Sequence, residues 1–504
     1  MDLIADLTGL IDRVALAHAG TAVGDEAAAI GRRLAEPLRV AIVGRMKSGK
    51  STLLNALVGQ HIAPTDAGEC TKVVTWYQHD HAPSIEAVMR DGGRVPIAFR
   101  ASAHALDFEL PGTTDEIDHV NVHWPTPLLA DLTLVDTPGI DSPTPGVIGR
   151  TERAILPDDV QPGIADIALY VLQNKHPTDL NFLEAFAADG LSLPSPLHCI
   201  GVLARADEIG AARLDALDTA GRVAARLAAD IRIRRLCNTV SPVAALPALG
   251  AGELTELQVQ TLRNLASSDR SVVDDLLLDA TTWSTATAPT AANALERQQL
   301  LDALGLWGVR TAIDLLRTEP QSAAALAMQL VSKSGLNALR KILTRDVKER
   351  SDLLRARSAL IALDALVARS GTGDRRDLLG RIEALVSGCH ELDEASVLAG
   401  IRGADLGFDA NLIEEAERLL GAAGTDRRAR LGLDGRADQY AVSAQARLLV
   451  TRWRSISENP FVPPEGAHVA RVVSRSAEGL VRADPAMDAV SAASTHPDRE
   501  SPGS

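Results

Sequence analysis

Residues 38–58 read Leu-Arg-Val-Ala-Ile-Val-Gly44-Arg-Met-Lys-Ser-Gly49-Lys50-Ser51-Thr-Leu-Leu-Asn-Ala-Leu-Val. A short run rich in β-branched residues ends in a glycine-bounded loop and passes into an apolar segment of helical spacing, which is the pattern of strand, tight turn and helix. The loop fits G-x-x-x-x-G-K-[ST], and it stands in the strand–helix context that this motif requires. Gly44 and Gly49 let the backbone fold so that successive N–H groups converge on phosphate oxygens. Lys50 brings a positive charge to the β and γ phosphates, and the Ser51 hydroxyl is a ligand for Mg²⁺. Arg45, Met46, Lys47, Ser48 and Thr52 belong to the same expected nucleotide site.

Further strand-sized apolar runs lie at 72–78, 131–139, 166–172 and 197–204, separated by helix-sized stretches. Together they predict an α/β P-loop domain, a mostly parallel sheet with helices on both faces. Residues 85–99 carry Asp91-Gly92-Gly93 between two runs and predict an inserted hairpin. Residues 3–14 follow helical spacing, strand signals stop near 253, and helical periodicity runs from 319 to 482. Breakers at 370–373, 421–424 and 460–466 divide that stretch, which predicts an elongated all-α bundle. The expected boundaries are 1–34 for an N-terminal helix, 35–318 for the nucleotide domain, 319–482 for the bundle and 483–504 for a disordered tail, with 281–293 read as a loop.

Composition excludes several classes. The chain of 504 residues has a net charge of −15, which disfavours nucleic acid as a partner. Cys70, Cys199, Cys237 and Cys389 have no metal-ligand spacing and predict free thiols in a reducing compartment. Asp2, Asp6 and Asp12 leave no basic region for a signal peptide, and no run approaches the roughly 18 apolar residues of a membrane span. The expectation is a cytoplasmic chain that meets any membrane from its surface.

Asp136-Thr-Pro-Gly139 ends one of the runs. There Asp136 would hold a Mg²⁺-bound water and the Gly139 N–H would meet the γ-phosphate. Ala204-Arg205-Ala206-Asp207 follows another run. The Asp207 carboxylate would accept the two donors of guanine, which adenine does not offer in that arrangement, so GTP is the expected substrate and GDP the product; the plainer alternative is a helix-entry Asp. Arg205 stands where guanine-specific GTPases usually carry the Lys that covers the base. Ser241 is read as opening the loop that closes over the base. Thr71, just before the second strand, is the candidate to complete Mg²⁺ coordination and position water.

These residues together resemble the dynamin superfamily of large GTPases, and bacterial dynamin-like proteins in particular. The gap from Lys50 to Asp136, His176–Leu183 and Leu306–Leu316 fit the same resemblance, which covers about residues 38–318. It implies a GTPase head on a helical neck and trunk, with neck helices from residues 2–30, 319–350 and 466–482. It also implies self-association through GTPase domains, a second dynamin-like protein as a candidate partner, and remodelling of a membrane at the trunk tip. In dynamins the position of Lys47 is typically a Ser that helps hold a monovalent cation. Here Lys47 reads either as a built-in charge in that cation's place or as a residue facing solvent or an opposing head.

Residues 340–357 are strongly basic in an acidic chain. Lys341, Arg345 and Lys348 there, Arg375 and Arg376 at an expected hairpin tip, and Phe408 in a second loop are the candidates for contact with an anionic phospholipid surface at the inner face of the plasma membrane. The alternative for 340–357 is a solvated helix face laced with ion pairs. Competing functions are a cytosolic regulatory GTPase and a nucleotide-gated scaffold acting on a protein partner.

Overall fold

The computed structural model describes residues 3–64, 73–102, 105–138, 165–173, 199–230, 232–233, 237, 239–287, 292–319, 322–369, 375–401, 406–422 and 424–482. The chain divides into two compact units, residues 2–379 and 380–504.

The first unit is built on a nine-stranded sheet in the order β11-β10-β9-β1-β8-β2-β7-β3-β4. The strands are β1 (Leu38–Gly44), β2 (Val74–His79), β3 (Ser84–Met89), β4 (Arg94–Ile97), β7 (Ile117–Trp124), β8 (Leu132–Asp136), β9 (Ile167–Leu172), β10 (Cys199–Ala204) and β11 (Thr239–Val243). β5 (Phe99–Ala101) and β6 (Leu106–Phe108) pair separately. β11, β10, β9, β1 and β8 run parallel. β2 runs against β8, and β3 and β4 form the expected hairpin. β9 and β10 are buried along their whole length, and β1 at all but Arg39. Central parallel strands covered on both faces need this unbroken apolar character.

Helices complete this unit, some on the two faces of the sheet and others packed on those helices. They are α1 (Leu3–Ala17), α2 (Ala22–Ala35), α3 (Lys50–Val58), α4 (Ala216–Ala229), α5 (Ala245–Ala251), α6 (Glu256–Ser267), α7 (Ala294–Thr318), α8 (Ala323–Lys333), α9 (Leu336–Lys341) and α10 (Ser351–Arg369). One core joins Val40 and Ile42 of β1 to Leu53, Leu54 and Leu57 of α3 and to Leu336 and Leu339 of α9. The other joins Ala41 and Val43 to Ala220, Ala224 and Leu227 of α4. Alternate residues of β1 thus feed opposite cores, as strand geometry dictates.

Two expectations about where elements and the core end need correction. The apolar core does not stop at residue 318: Leu336, Leu339, Leu343 and Val347 lie in the sheet's main core, and Leu326 and Leu330 pack with α7. Residues 323–347 are therefore part of the sheet unit. Residues 281–293 are not all loop, because Ala280–Thr285 forms a helix capped by Asp279 and anchored by the buried Trp283, whose Nε1 donates to Arg297 O at 2.7 Å. The basic 340–357 stretch follows the ion-paired alternative in part: Arg340 donates to the Ala56 and Leu57 carbonyls at the end of α3, Arg345 pairs with Glu349, Lys348 with Asp131 at 2.7 Å, and Arg355 donates to Glu36 O.

α1, α2 and α10 pack on one another. α2 is tied to the sheet by Asp166, which accepts from the Arg33 guanidinium and from Arg39 N at 2.8 Å. The same segment stacks the Arg39 guanidinium over Trp76 at 4.3 Å.

The second unit is helical, with α11 (His390–Ile401), α12 (Ala410–Leu419), α13 (Gln439–Ser457) and α14 (Pro464–Arg482). α13 and α14 form a hairpin, and α11 and α12 pack on α14. Trp453 is fully buried and donates to Glu415 Oε1 at 2.9 Å. The Phe408 ring stands edge-on to Trp453 at 5.7 Å between centroids. Phe408 is thus half-buried packing rather than a free apolar tip, since its ring finds an aromatic partner within its own unit. Among the described residues, no helix is long and apolar enough to cross a membrane.

Asp166→Ala would strand the Arg33 guanidinium and the Arg39 N–H. The expected loss is about 3 kcal/mol, read as a lower urea midpoint with an unchanged slope. Asp166→Asn keeps an acceptor for Arg39 N and should lose less.

Candidate functional site

The candidate site gathers at the C-terminal ends of the parallel strands, around β1. In an open α/β sheet this is where loops can converge on a ligand. Gly44 sits against β9 in register with Val171. A Cβ there would lie 2.8 Å from the Val171 carbonyl, so only glycine fits. Gly49 holds φ 98° at the start of α3. Lys47 adopts a left-handed φ of 60°, unusual for a residue with a Cβ, and is exposed. Two side chains hold its carbonyl: Gln173 Nε2 and Arg205 Nη2 each donate to Lys47 O at 3.2 Å.

Inside the loop, Lys50 is buried and its ammonium donates to Gly44 O at 3.0 Å and Arg45 O at 2.9 Å. Ser48 is also buried, whereas Met46 is exposed. Arg45 and Thr52 are half-buried. The Ser51 hydroxyl donates to Asp136 Oδ2 at 3.2 Å. Asp136 Oδ1 is buried without a hydrogen-bond partner among the described residues. An orphaned carboxylate oxygen beside a hydroxyl is a hard oxygen donor set, which fits Mg²⁺. Burial pushes the Asp136 carboxyl up, opposed by the Lys50 charge and the Ser51 hydrogen bond. Thr137 Oγ1 donates to Ile42 O at 2.9 Å and fixes the end of β8 against β1.

Asp207 lies in a one-turn helix, Ala206–Glu208, directly after β10. It is buried, and burial raises its carboxyl to about 6, with Glu208 adding to the rise and a backbone N–H and Arg205 opposing it. Arg205 bonds the phosphate loop through Lys47 O and pairs loosely with Glu208, so it bridges the two loops. Ser241 corrects an expectation: it lies inside β11, paired with Val202 and buried, while the strand runs on to Val243 opposite Ala204. The chain therefore leaves β11 at Ala244, and Ser241 does not open the closing loop. Thr71, Gly139 and residues 176–183 lie outside the described residues. Gln173 belongs to no motif, and Thr137 lies inside the Asp136–Gly139 motif but its bond to Ile42 O is a contact that no spacing records.

A glycine loop with a buried lysine, a Ser–Asp pair and a buried Asp after the fourth parallel strand define a P-loop nucleotide hydrolase. Residues 40–203 match the Dynamin family. The chain is 35% identical over 455 residues to the isoniazid-induced protein IniC of Mycobacterium tuberculosis, covering 90% of this chain and 91% of that one. It is 30% identical over 115 residues to a bacterial dynamin-like protein of Nostoc punctiforme, covering 20% and 17% of the two. Among solved structures, a chain from an oligomerised bacterial dynamin pair, described as a mechanism for long-range sensing and tethering of membranes, aligns at 11% identity over 97% of this chain and 91% of its own, with a TM-score of 0.33. The chain belongs to the dynamin family, and it is a GTPase.

A carboxylate that titrates near 6 must be ionised to accept two hydrogen bonds from guanine. GDP affinity should fall by roughly tenfold between pH 7.5 and pH 5. Asp207→Asn should flatten the part of this dependence that the nucleotide phosphates do not cause, as read by calorimetric titration of both proteins.

Proposed function

We propose that this chain is a Mg²⁺-dependent dynamin-like GTPase that couples GTP hydrolysis to remodelling, by fission or fusion, of the inner face of the plasma membrane. The Ser51–Asp136 pair beside Lys50 carries the catalytic half of this reading. Lys50 sets its charge under the β and γ phosphates, and the loop N–H groups orient them. Ser51 and Asp136 would hold Mg²⁺, with Thr71 as the further ligand. The ion, when bound, offsets charge on the phosphate oxygens. Asp207 would select guanine, with Arg205 beside the base. Membership of the dynamin family supports the membrane half, together with self-association through GTPase domains and a second dynamin-like protein as partner. Lys341, Arg375 and Arg376 are exposed and supply the basic contacts for anionic phospholipid.

Co-sedimentation with anionic and neutral vesicles, with GTP hydrolysis followed alongside, tests the whole reading. Binding should favour anionic vesicles and weaken with salt and on charge reversal of Arg375 and Arg376. Lys50→Ala should abolish hydrolysis in a folded protein. Hydrolysis without any vesicle binding would leave a regulatory GTPase acting on a protein partner.

Lys47 is assigned here to the built-in charge. Turnover should then be indifferent to replacing Na⁺ and K⁺ by a bulky cation at constant ionic strength. Lys47→Ser should lower turnover and introduce ion dependence. A wild type that stops without small monovalent cations sinks this role and leaves the exposed Lys47 as a residue facing solvent or an opposing head.

A further inference from the structure

The loop that presents Asp207 is held in an unfavourable shape. Arg205, Ala211 and Ala212 have φ of 51°, 61° and 52°, and Gly210 has 69°. Left-handed backbone with a Cβ is costly and persists only where surrounding groups hold it. At Ala211 and Ala212 those groups come from one helix, α7. Arg310 Nη1 donates to the carbonyls of Ala211 and Ala212, and its Nη2 donates to Leu277 O, so the guanidinium fork clamps the loop to the segment after the helix Arg270–Leu276. Trp307 is buried against Ala216 and Ala244, with Ala212 and Leu217 packed beside them. α7 itself is broken at Gly305, where φ 63° and ψ 172° are open to glycine alone. A Cβ built on Gly305 would sit 3.4 Å from Asp207 Oδ2, which places the break directly beside the base-reading carboxylate.

We propose that Gly305 and Arg310 are positioning residues for base recognition, holding the 205–212 loop so that both Asp207 oxygens are presented to guanine. This rests on the guanine reading of Asp207. Two parallel hydrogen bonds, to N1–H and to the exocyclic 2-amino group, require the carboxylate in one orientation. A loop relaxed toward right-handed backbone turns that carboxylate and loses one of the two bonds. The kink lets the α7 backbone pass close to Asp207 without a side chain in between, and the Arg310 fork keeps the loop from relaxing.

The test compares GDP with IDP, which lacks the 2-amino group and so reports on the second hydrogen bond. Wild type should bind GDP more tightly than IDP, and GDP far more tightly than ADP. Arg310→Ala and Gly305→Ala should each shrink the GDP-to-IDP ratio by about fivefold or more, and Arg310→Lys should recover part of it. A purely structural role would lower the melting temperature and leave the ratio alone, so an unchanged ratio in folded Arg310→Ala protein overturns the proposal. Should neither alanine variant fold, hydrogen exchange on the wild type decides. Residues 205–212 and 305–310 should gain protection together on GDP binding, and protection of the first segment alone overturns the coupling. A wild type that binds ADP as tightly as GDP overturns the guanine reading itself, a result distinct from either of these.

Discussion

The site depends on how closely β1 and β9 approach where β1 ends. Gly44 lies in register with Val171, and a Cβ would meet the Val171 carbonyl at 2.8 Å. Because there is none, β1 can end flush against its neighbour and the chain can turn back over its own strand. That turn sets Lys50 beneath the loop and Ser51 at the start of α3, within 3.2 Å of Asp136 at the end of β8. Two neighbouring side chains of the loop meet a third from 85 residues further on because one glycine leaves room. The two cores on either face of β1 then hold the strand in place.

Charge burial is the second organising feature. Asp136 and Asp207 are both withdrawn from water, and burial raises both carboxyls. Withdrawn carboxylates are costly unless something completes them. Lys50 and Ser51 do so in part for Asp136. Asp207 has less support from charge: the exposed Arg205 guanidinium turns to Lys47 O and Glu208. A carboxylate so placed gains most from a ligand that donates to it, which is what guanine offers. Asp166 shows the contrasting arrangement, since its buried oxygen is answered by Arg33 and by Arg39 N and ties α2 to the sheet.

Hydrogen bonds to backbone carbonyls and ion pairing also explain why the basic 340–357 stretch is less open than its composition suggests. Arg340 caps the end of α3, Lys348 reaches Asp131, and Arg355 reaches the Glu36 carbonyl. The segment links α9 to α10 through a widened helical turn at 342–347, and its apolar residues Leu343 and Val347 enter the main core. Its charges serve first to seat it on the sheet unit. Phe408 shows the same economy in the second unit, where its ring is spent on Trp453.

The amino-acid sequence by itself determined the strand–loop–helix at 38–58, the strands leading to Asp136 and Asp207, and the helical character of the described residues between 322 and 482. These are local patterns, since glycine at a turn and apolar residues at a fixed period constrain the backbone wherever they occur. Tertiary structure alone decided that Gln173 and Arg205 meet at the Lys47 carbonyl, that Ser241 sits inside a strand, and that Arg310 reaches back to the Ala211 and Ala212 carbonyls. It also decided that residues 323–347 join the sheet's core. Contacts of this kind bind residues far apart in the chain through single side-chain atoms, and no spacing rule records them. Their partners are backbone carbonyls, which every residue carries, so only the folded chain reveals which ones are met.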